Sequence, residues 1–94
     1  MIRQIVQVKN PLGLHARAAA KLVRLASRYA SEIHLSRESA GQQIDAKSIL
    51  GILMLAASVG TRLELSITGE DEAEAGEALV QLFEAGFGEK GVSE

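Results

Sequence analysis

Chemistry in this chain concentrates in Gly13-Leu14-His15-Ala16-Arg17, where a loop, the start of a helix, a titratable ring and a fixed cation coincide. The first amides of a helix have no intrahelical acceptor and point back toward the preceding loop. A helix opening of this kind, here from the backbone amide of Ala16 onward, is a ready phosphate site. Arg17 adds a permanent planar fork of donors matched to phosphate oxygens, and Gly13 admits backbone conformations that a side chain would block. The positive end of the helix disfavours imidazolium, so His15 is expected to be neutral and nucleophilic near neutral pH. A neutral ring nitrogen can attack phosphorus. The resulting dianion would gain roughly 0.3–1 kcal/mol from the helix dipole. The plainer role for the same histidine is capping the helix.

A second segment, Lys47-Ser48-Ile49-Leu50-Gly51-Ile52-Leu53-Met54-Leu55, starts with a residue suited to N-capping and continues as a short helix that is apolar all round. A surface helix of a small domain ordinarily carries a polar stripe. Some of Ile49, Leu50 and Leu53 is therefore expected at the surface, rimmed by Arg17, Arg24 and Lys47. That combination of apolar patch and basic rim suits a transient docking face. The plainer alternatives are a fully buried helix and a Ser48 that only caps. His34 falls on the outward side of a strand and reads as an ordinary surface histidine.

These segments must be held by something, and periodicity outlines it. Ile2–Val8 reads as a strand with Val6 and Val8 on one face, and Asn10-Pro11-Leu12-Gly13 as a turn. From Ala16 to Tyr29 the residues Ala19, Leu22, Val23, Ala26 and Ala30 keep helical spacing. Ser31–Arg37 alternates again, Ser39-Ala40-Gly41 turns, and a short strand surrounds Gln43-Ile44. Arg62–Thr68 is the clearest strand, with Leu63, Leu65 and Ile67 alternating. Asp71-Glu72-Ala73-Glu74 resembles a capping box before a helix striped by Ala75, Ala78, Leu79, Leu82 and Phe83, with Gly86 as its C-terminal cap. The order β-α-β-β-α-β-α, with one polar face per strand, predicts an α+β open-faced sandwich. Its four-stranded, mainly antiparallel sheet would be covered on one face by three helices. The domain is expected over residues 1–87, with 88–94 a flexible polar tail.

Composition sets the outer bounds. Ninety-four residues make one domain, and 47% hydrophobic content with a single proline supplies one core and excludes a disordered chain. With no cysteine, disulfides and thiol catalysis are excluded, and two histidines are too few for most metal sites, so neither metal nor cofactor is expected. Residues 1–48 carry eight Lys/Arg against three Asp/Glu and residues 49–94 two against nine, a split that suits partner choice by electrostatic steering. Net charge of −2 and 3% aromatic content argue against nucleic acid. No apolar run approaches a membrane span and the first residues lack a signal-peptide layout, so a soluble, cytoplasmic protein without membrane insertion is expected.

Asn10-Pro11-Leu12-Gly13-Leu14-His15-Ala16-Arg17 resembles the active-site signature of the HPr phosphocarrier family of the bacterial phosphoenolpyruvate-dependent phosphotransferase system. The Lys47–Leu55 segment resembles that family's regulatory serine and following helix, and Gly69-Glu70-Asp71-Glu72 also matches; the similarity spans about residues 2–87. The resemblance implies the βαββαβα sandwich and a carrier, not a turnover enzyme. His15 would accept a phosphoryl group on Nδ1 from Enzyme I phosphohistidine and pass it to an EIIA-type domain. Arg17, with the amides at Ala16 and Arg17, would hold the phosphate. Ser48 would be the site of the ATP-dependent HPr kinase/phosphorylase. Ala18 departs from the family, which usually has proline there; alanine preserves the helix and restores an N–H. A regulatory paralogue, from the nitrogen-related branch or an incomplete phosphotransferase system, would carry the same residues. A hydrolase lacks a general base, and a small-molecule module would need a concave apolar pocket. A monomer is expected, since no strand is an evident unprotected hydrophobic edge.

Overall fold

The computed structural model describes residues 1–38 and 42–89; the expected Ser39-Ala40-Gly41 turn and residues 90–94 of the expected tail lie outside the described residues. Strands β1 (Ile2–Gln7), β2 (Glu32–Arg37), β3 (Ile44–Asp45) and β4 (Arg62–Thr68) alternate with helices α1 (Ala16–Ala26), α2 (Ile49–Leu55) and α3 (Glu72–Glu84), followed by a 3-10 turn over Gly86–Gly88. The sheet runs β1-β4-β2-β3 and every pairing is antiparallel. This is the open-faced α+β sandwich that the alternating patterns predict.

The register explains why the periodicity was readable. Val6 faces Leu63, and Ile33 and Leu35 face Ile67 and Leu65, so the apolar residues of three neighbouring strands share one side. Against them pack Leu22 of α1, Ile52 of α2, and Leu79 and Phe83 of α3, all fully buried. Each such side chain contributes about 1.5–3 kcal/mol by leaving water. Beyond β1 the pairing continues irregularly, with Val8 N donating to Thr61 O at 2.9 Å and Gly60 N to Val8 O at 2.7 Å. The opposite face is polar, though Ser36 and Ser66 are small enough to sink between larger neighbours and are buried.

Two element ends differ from the sequence reading for one reason. Helix α1 stops at Ala26 instead of Tyr29, its last turn tightening through Arg28 N to Leu25 O (3.1 Å) and Tyr29 N to Ala26 O (3.2 Å). Asp71 then takes the amides of Ala30 (2.8 Å) and Ser31 (3.0 Å), and also accepts from the Ser31 hydroxyl. Those bonds turn the chain into β2 and leave Ala30 exposed. They also replace the expected capping box: Asp71 is the N-cap residue of α3 but makes no capping bond, and Glu72 Oε1 instead accepts from Gly69 N at 3.1 Å. The Ser31 hydroxyl and the Ala30 amide hold the Asp71 carboxyl below the usual carboxylate range.

Helix α3 ends at Glu84, and the chain then turns through three successive left-handed residues, Gly86 (φ +61°), Phe87 (+58°) and Gly88 (+74°). The glycines adopt this freely, whereas Phe87 does so at a cost of about 1–2 kcal/mol. Burial offsets that cost: Phe87 is fully buried, its ring edge-on to Phe83 with centroids 5.0 Å apart.

Candidate functional site at the start of helix α1

The loop before α1 is tied at three points. Gly13 N donates to Asn10 O (3.1 Å), the Asn10 side-chain amide donates to Gly13 O (2.6 Å), and Leu14 N donates to Ala57 O (2.9 Å). Gly13 has φ +69°, and a Cβ there would lie 2.6 Å from the Ala57 carbonyl oxygen. Both the conformation and the close approach therefore require glycine. With Leu14 buried beside it, the loop delivers His15 to a fixed point at the mouth of the helix.

His15 is the N-cap residue of α1, and its Nδ1 accepts from Arg17 N at 3.3 Å. The first intrahelical bond is Ala19 N to His15 O at 2.8 Å, so the amides of Ala16 and Ala18 precede the ladder. Ala18, at the position of the family's usual proline, is fully buried. Its methyl packs in the core and its N–H adds a donor to the helix mouth. The Arg17 side chain is exposed, and its guanidinium forms no hydrogen bond or ion pair among the described residues. His15, Ala16 and Arg17 line one open hollow of about 920 Å³ together with Leu12, Lys21 and Glu89.

Glu89 is the functional neighbour that the sequence does not reveal. The sequence assigns it to a polar tail, yet one carboxylate oxygen pairs with His15 Nε2 and the other accepts from the Asn10 side-chain amide at 3.2 Å. Its side chain is 16% exposed and that of His15 27%. The hydrogen bond from His15 holds the Glu89 carboxyl below its ordinary value; burial opposes this, and Asn10 and Lys21 reinforce it. A lone aromatic between two glycines, Gly86-Phe87-Gly88, is the one signal that could have shown this segment turning back to the domain. Lys21, which the helical spacing leaves for solvent, instead fastens the turn by donating to Phe87 O at 2.7 Å.

The remaining sequence candidates lie outside the hollow. Ser48 is the N-cap residue of α2, its oxygen accepting from Gly51 N at 3.1 Å. Lys47 Nζ donates to Tyr29 O at 2.8 Å, which ties this ammonium down, while Arg24 is exposed in the last turn of α1. Ile49, Leu50 and Leu53 are exposed, and Met54, at 75%, is more exposed than any of them. His34 is half-buried on the polar side of β2. Among the described residues no group of His, Asp and Glu side chains is arranged to hold a metal ion, and no helix is long and apolar enough to cross a membrane.

Residues 2–85 match the family model described as the PTS HPr component phosphorylation site. The chain is similar to the phosphocarrier protein HPr of Cupriavidus necator, with 47% identity over 89 residues, covering 95% of this chain and 98% of that protein. Its similarity to the phosphocarrier protein HPr of Xylella fastidiosa is 48% over 89 residues, with the same shares covered. Among solved structures, HPr-C-His from Thermoanaerobacter tengcongensis superposes with a TM-score of 0.90 at 43% identity, covering 96% of this chain and 99% of that one.

Proposed function

The chain belongs to the HPr phosphocarrier family of the phosphoenolpyruvate-dependent phosphotransferase system, and from that membership we propose that His15 is its phosphoryl-carrying residue. Enzyme I phosphohistidine would be the donor and an EIIA-type domain the acceptor. The observation that carries this reading is the placement of His15 Nδ1 at the mouth of α1, 3.3 Å from the Arg17 amide, beside a guanidinium that no described residue engages. At that length the bond to Nδ1 is weak and easily given up. As Nδ1 donates its electron pair, the new N–P bond forms and the donor's P–N bond breaks. The Arg17 amide, released from the ring nitrogen, then faces the incoming phosphoryl oxygens with the amides of Ala16 and Ala18. Arg17 adds charge-assisted, planar hydrogen bonding to the same oxygens.

Ser48 is the regulatory site in this reading, phosphorylated by an HPr kinase/phosphorylase. A dianion at the start of α2 suits the helix dipole and leaves the fold in place. Exposed Ile49, Leu50 and Leu53 beside it, with Met54, form the apolar part of the docking face, and Arg17 and Arg24 its basic part. A charge added at Ser48 would weaken the approach of an acidic partner there. The protein works as a monomer, with brief contacts to successive partners.

Intact-mass measurement after incubation with phosphoenolpyruvate and Enzyme I tests the reading. One acid-labile phosphoryl group, absent from His15→Ala, is expected, followed by its loss on addition of an EIIA-type domain. A folded wild-type protein that takes up no phosphoryl group from its cognate Enzyme I refutes the carrier role. Uptake without onward transfer to any EIIA-type domain refutes the transport part and leaves a regulatory protein.

A further inference from the structure

We propose that Glu89 is a positioning residue for His15, holding the imidazole in the tautomer that carries its proton on Nε2 and presents the Nδ1 lone pair to phosphorus. The inference rests on the carrier reading above and extends it to a residue outside the loop and helix that carry His15. Two independent contacts agree on the tautomer. At Nδ1 the neighbour is a backbone N–H, that of Arg17, which can only donate, so this nitrogen must offer a lone pair. At Nε2 the neighbour is the Glu89 carboxylate, which when ionised can only accept, so this nitrogen must carry the hydrogen.

Glu89 does not reach the ring by chance contact of a loose tail. Its backbone N–H donates to Gly86 O at 3.0 Å, closing the left-handed turn. The buried Phe87 ring anchors that turn against Phe83, and Lys21 holds its carbonyl at 2.7 Å. The carboxylate is fixed from its other oxygen by Asn10, whose side chain is itself buried and also bonds Gly13 O. Asn10 thus joins the loop before His15 to the residue behind it. Shape, backbone bonding and side-chain bonding all converge on one position for the carboxylate.

The arrangement has a consequence for transfer. When Nδ1 gives its electron pair to the incoming phosphorus and the donor's P–N bond breaks, the ring becomes cationic and the charge spreads to Nε2–H. Glu89 faces that charge in both directions of transfer, as a buried carboxylate steadies the histidine of a catalytic triad. The Nε2 proton stays on the ring throughout. In onward transfer the protonated ring is the better leaving group, and its P–N bond breaks as the acceptor's forms.

The test compares wild type with Glu89→Ala and Glu89→Gln, each ¹⁵N-labelled at histidine. Long-range ¹⁵N–¹H NMR of the unphosphorylated proteins, above the titration of the ring, reads the tautomer. Rapid-quench single-turnover transfer from phospho-Enzyme I at saturation reads the rate. Wild type is expected to show Nε2–H. Glu89→Ala should shift toward Nδ1–H and transfer about tenfold more slowly. Glu89→Gln, which can still accept from Nε2–H but lacks the charge, should keep the wild-type tautomer with an intermediate rate. An unchanged tautomer in Glu89→Ala, or a rate within twofold of wild type in both variants, overturns the proposal. The tautomer measurement uses no phosphoryl donor. It therefore decides on Glu89 even where wild type itself takes up no phosphoryl group, the separate result that refutes the carrier reading.

Discussion

Gly13 and Gly60 both have positive φ, +69° and +90°, yet replacing each by alanine should have very different effects. At Gly60 a Cβ would meet none of the described residues within 4 Å, so Gly60→Ala incurs only the left-handed backbone cost of about 1–2 kcal/mol. At Gly13 the same cost applies, but the Cβ would also lie 2.6 Å from Ala57 O and 3.0 Å from Ser58 Cα. Both are backbone atoms, which no rotamer change can move aside. Forcing them apart adds about 1–3 kcal/mol of overpacking. It also lengthens the 2.9 Å Leu14 N to Ala57 O bond, worth about 0.5–1.5 kcal/mol. Gly13→Ala should therefore destabilise by about 2.5–6.5 kcal/mol in all. In a domain of this length 1 kcal/mol moves Tm by about 4–8 °C. The expected losses in thermal unfolding followed by circular dichroism are at least about 10 °C for Gly13→Ala and about 4–16 °C for Gly60→Ala. Urea unfolding supplies the free energies directly, and Gly13→Ala should exceed Gly60→Ala by at least about 1.5 kcal/mol. Equal losses in the two variants would refute the claim that the loop is pinned by close backbone approach.

Three further outcomes follow from other contacts. Ala56 caps α2 with φ +51° and ψ +42°, so Ala56→Gly should raise Tm by a few degrees, consistent with relief of about 0.5–1 kcal/mol in a thermal scan. Ser48→Ala should cost about 1 kcal/mol through loss of the bond to Gly51 N, read in urea unfolding. Asp71, Glu72 and Glu89 all have carboxyl groups held below their ordinary values, by Ser31, the Gly69 amide and His15 respectively. Depressed folded-state values mean stability that is present above the unfolded carboxylate range of about 4 and lost as pH falls through the folded values. Tm should thus hold steady above about pH 5 and drop below about pH 4, and Asp71→Asn should flatten that drop.

Much of this fold could be read because each strand shows one face to the core and each helix one stripe. Leu63, Leu65 and Ile67 declared β4, and His15, Arg17 and Gly13 declared the helix mouth, since each feature is local in sequence. What escaped is non-local. Asp71 looks like the start of a capping box until Ala30 and Ser31, forty residues earlier, take its carboxylate. Glu89 looks like tail because the left-handed backbone at Phe87 is held by non-local contacts, the burial of its ring and the Lys21 bond to its carbonyl. Lys47 looks like a free docking cation until Tyr29 O engages it. In each case the deciding partner is supplied by tertiary packing, which no residue spacing encodes.

Helix α2 is held at both ends: the Ser48 hydroxyl bonds Gly51 N, and the Arg37 guanidinium from β2 bonds Leu55 O at 2.9 Å and Ala56 O at 3.3 Å. The side chains of Ile49, Leu50, Leu53 and Met54 therefore stand in water on a backbone that is already ordered. Covering them freezes side-chain rotamers, at about 0.5–1.5 kcal/mol each, but requires no folding of a loop. An apolar surface mounted in this way loses little conformational entropy on association, so even a small contact area can hold a partner for a short time and then release it.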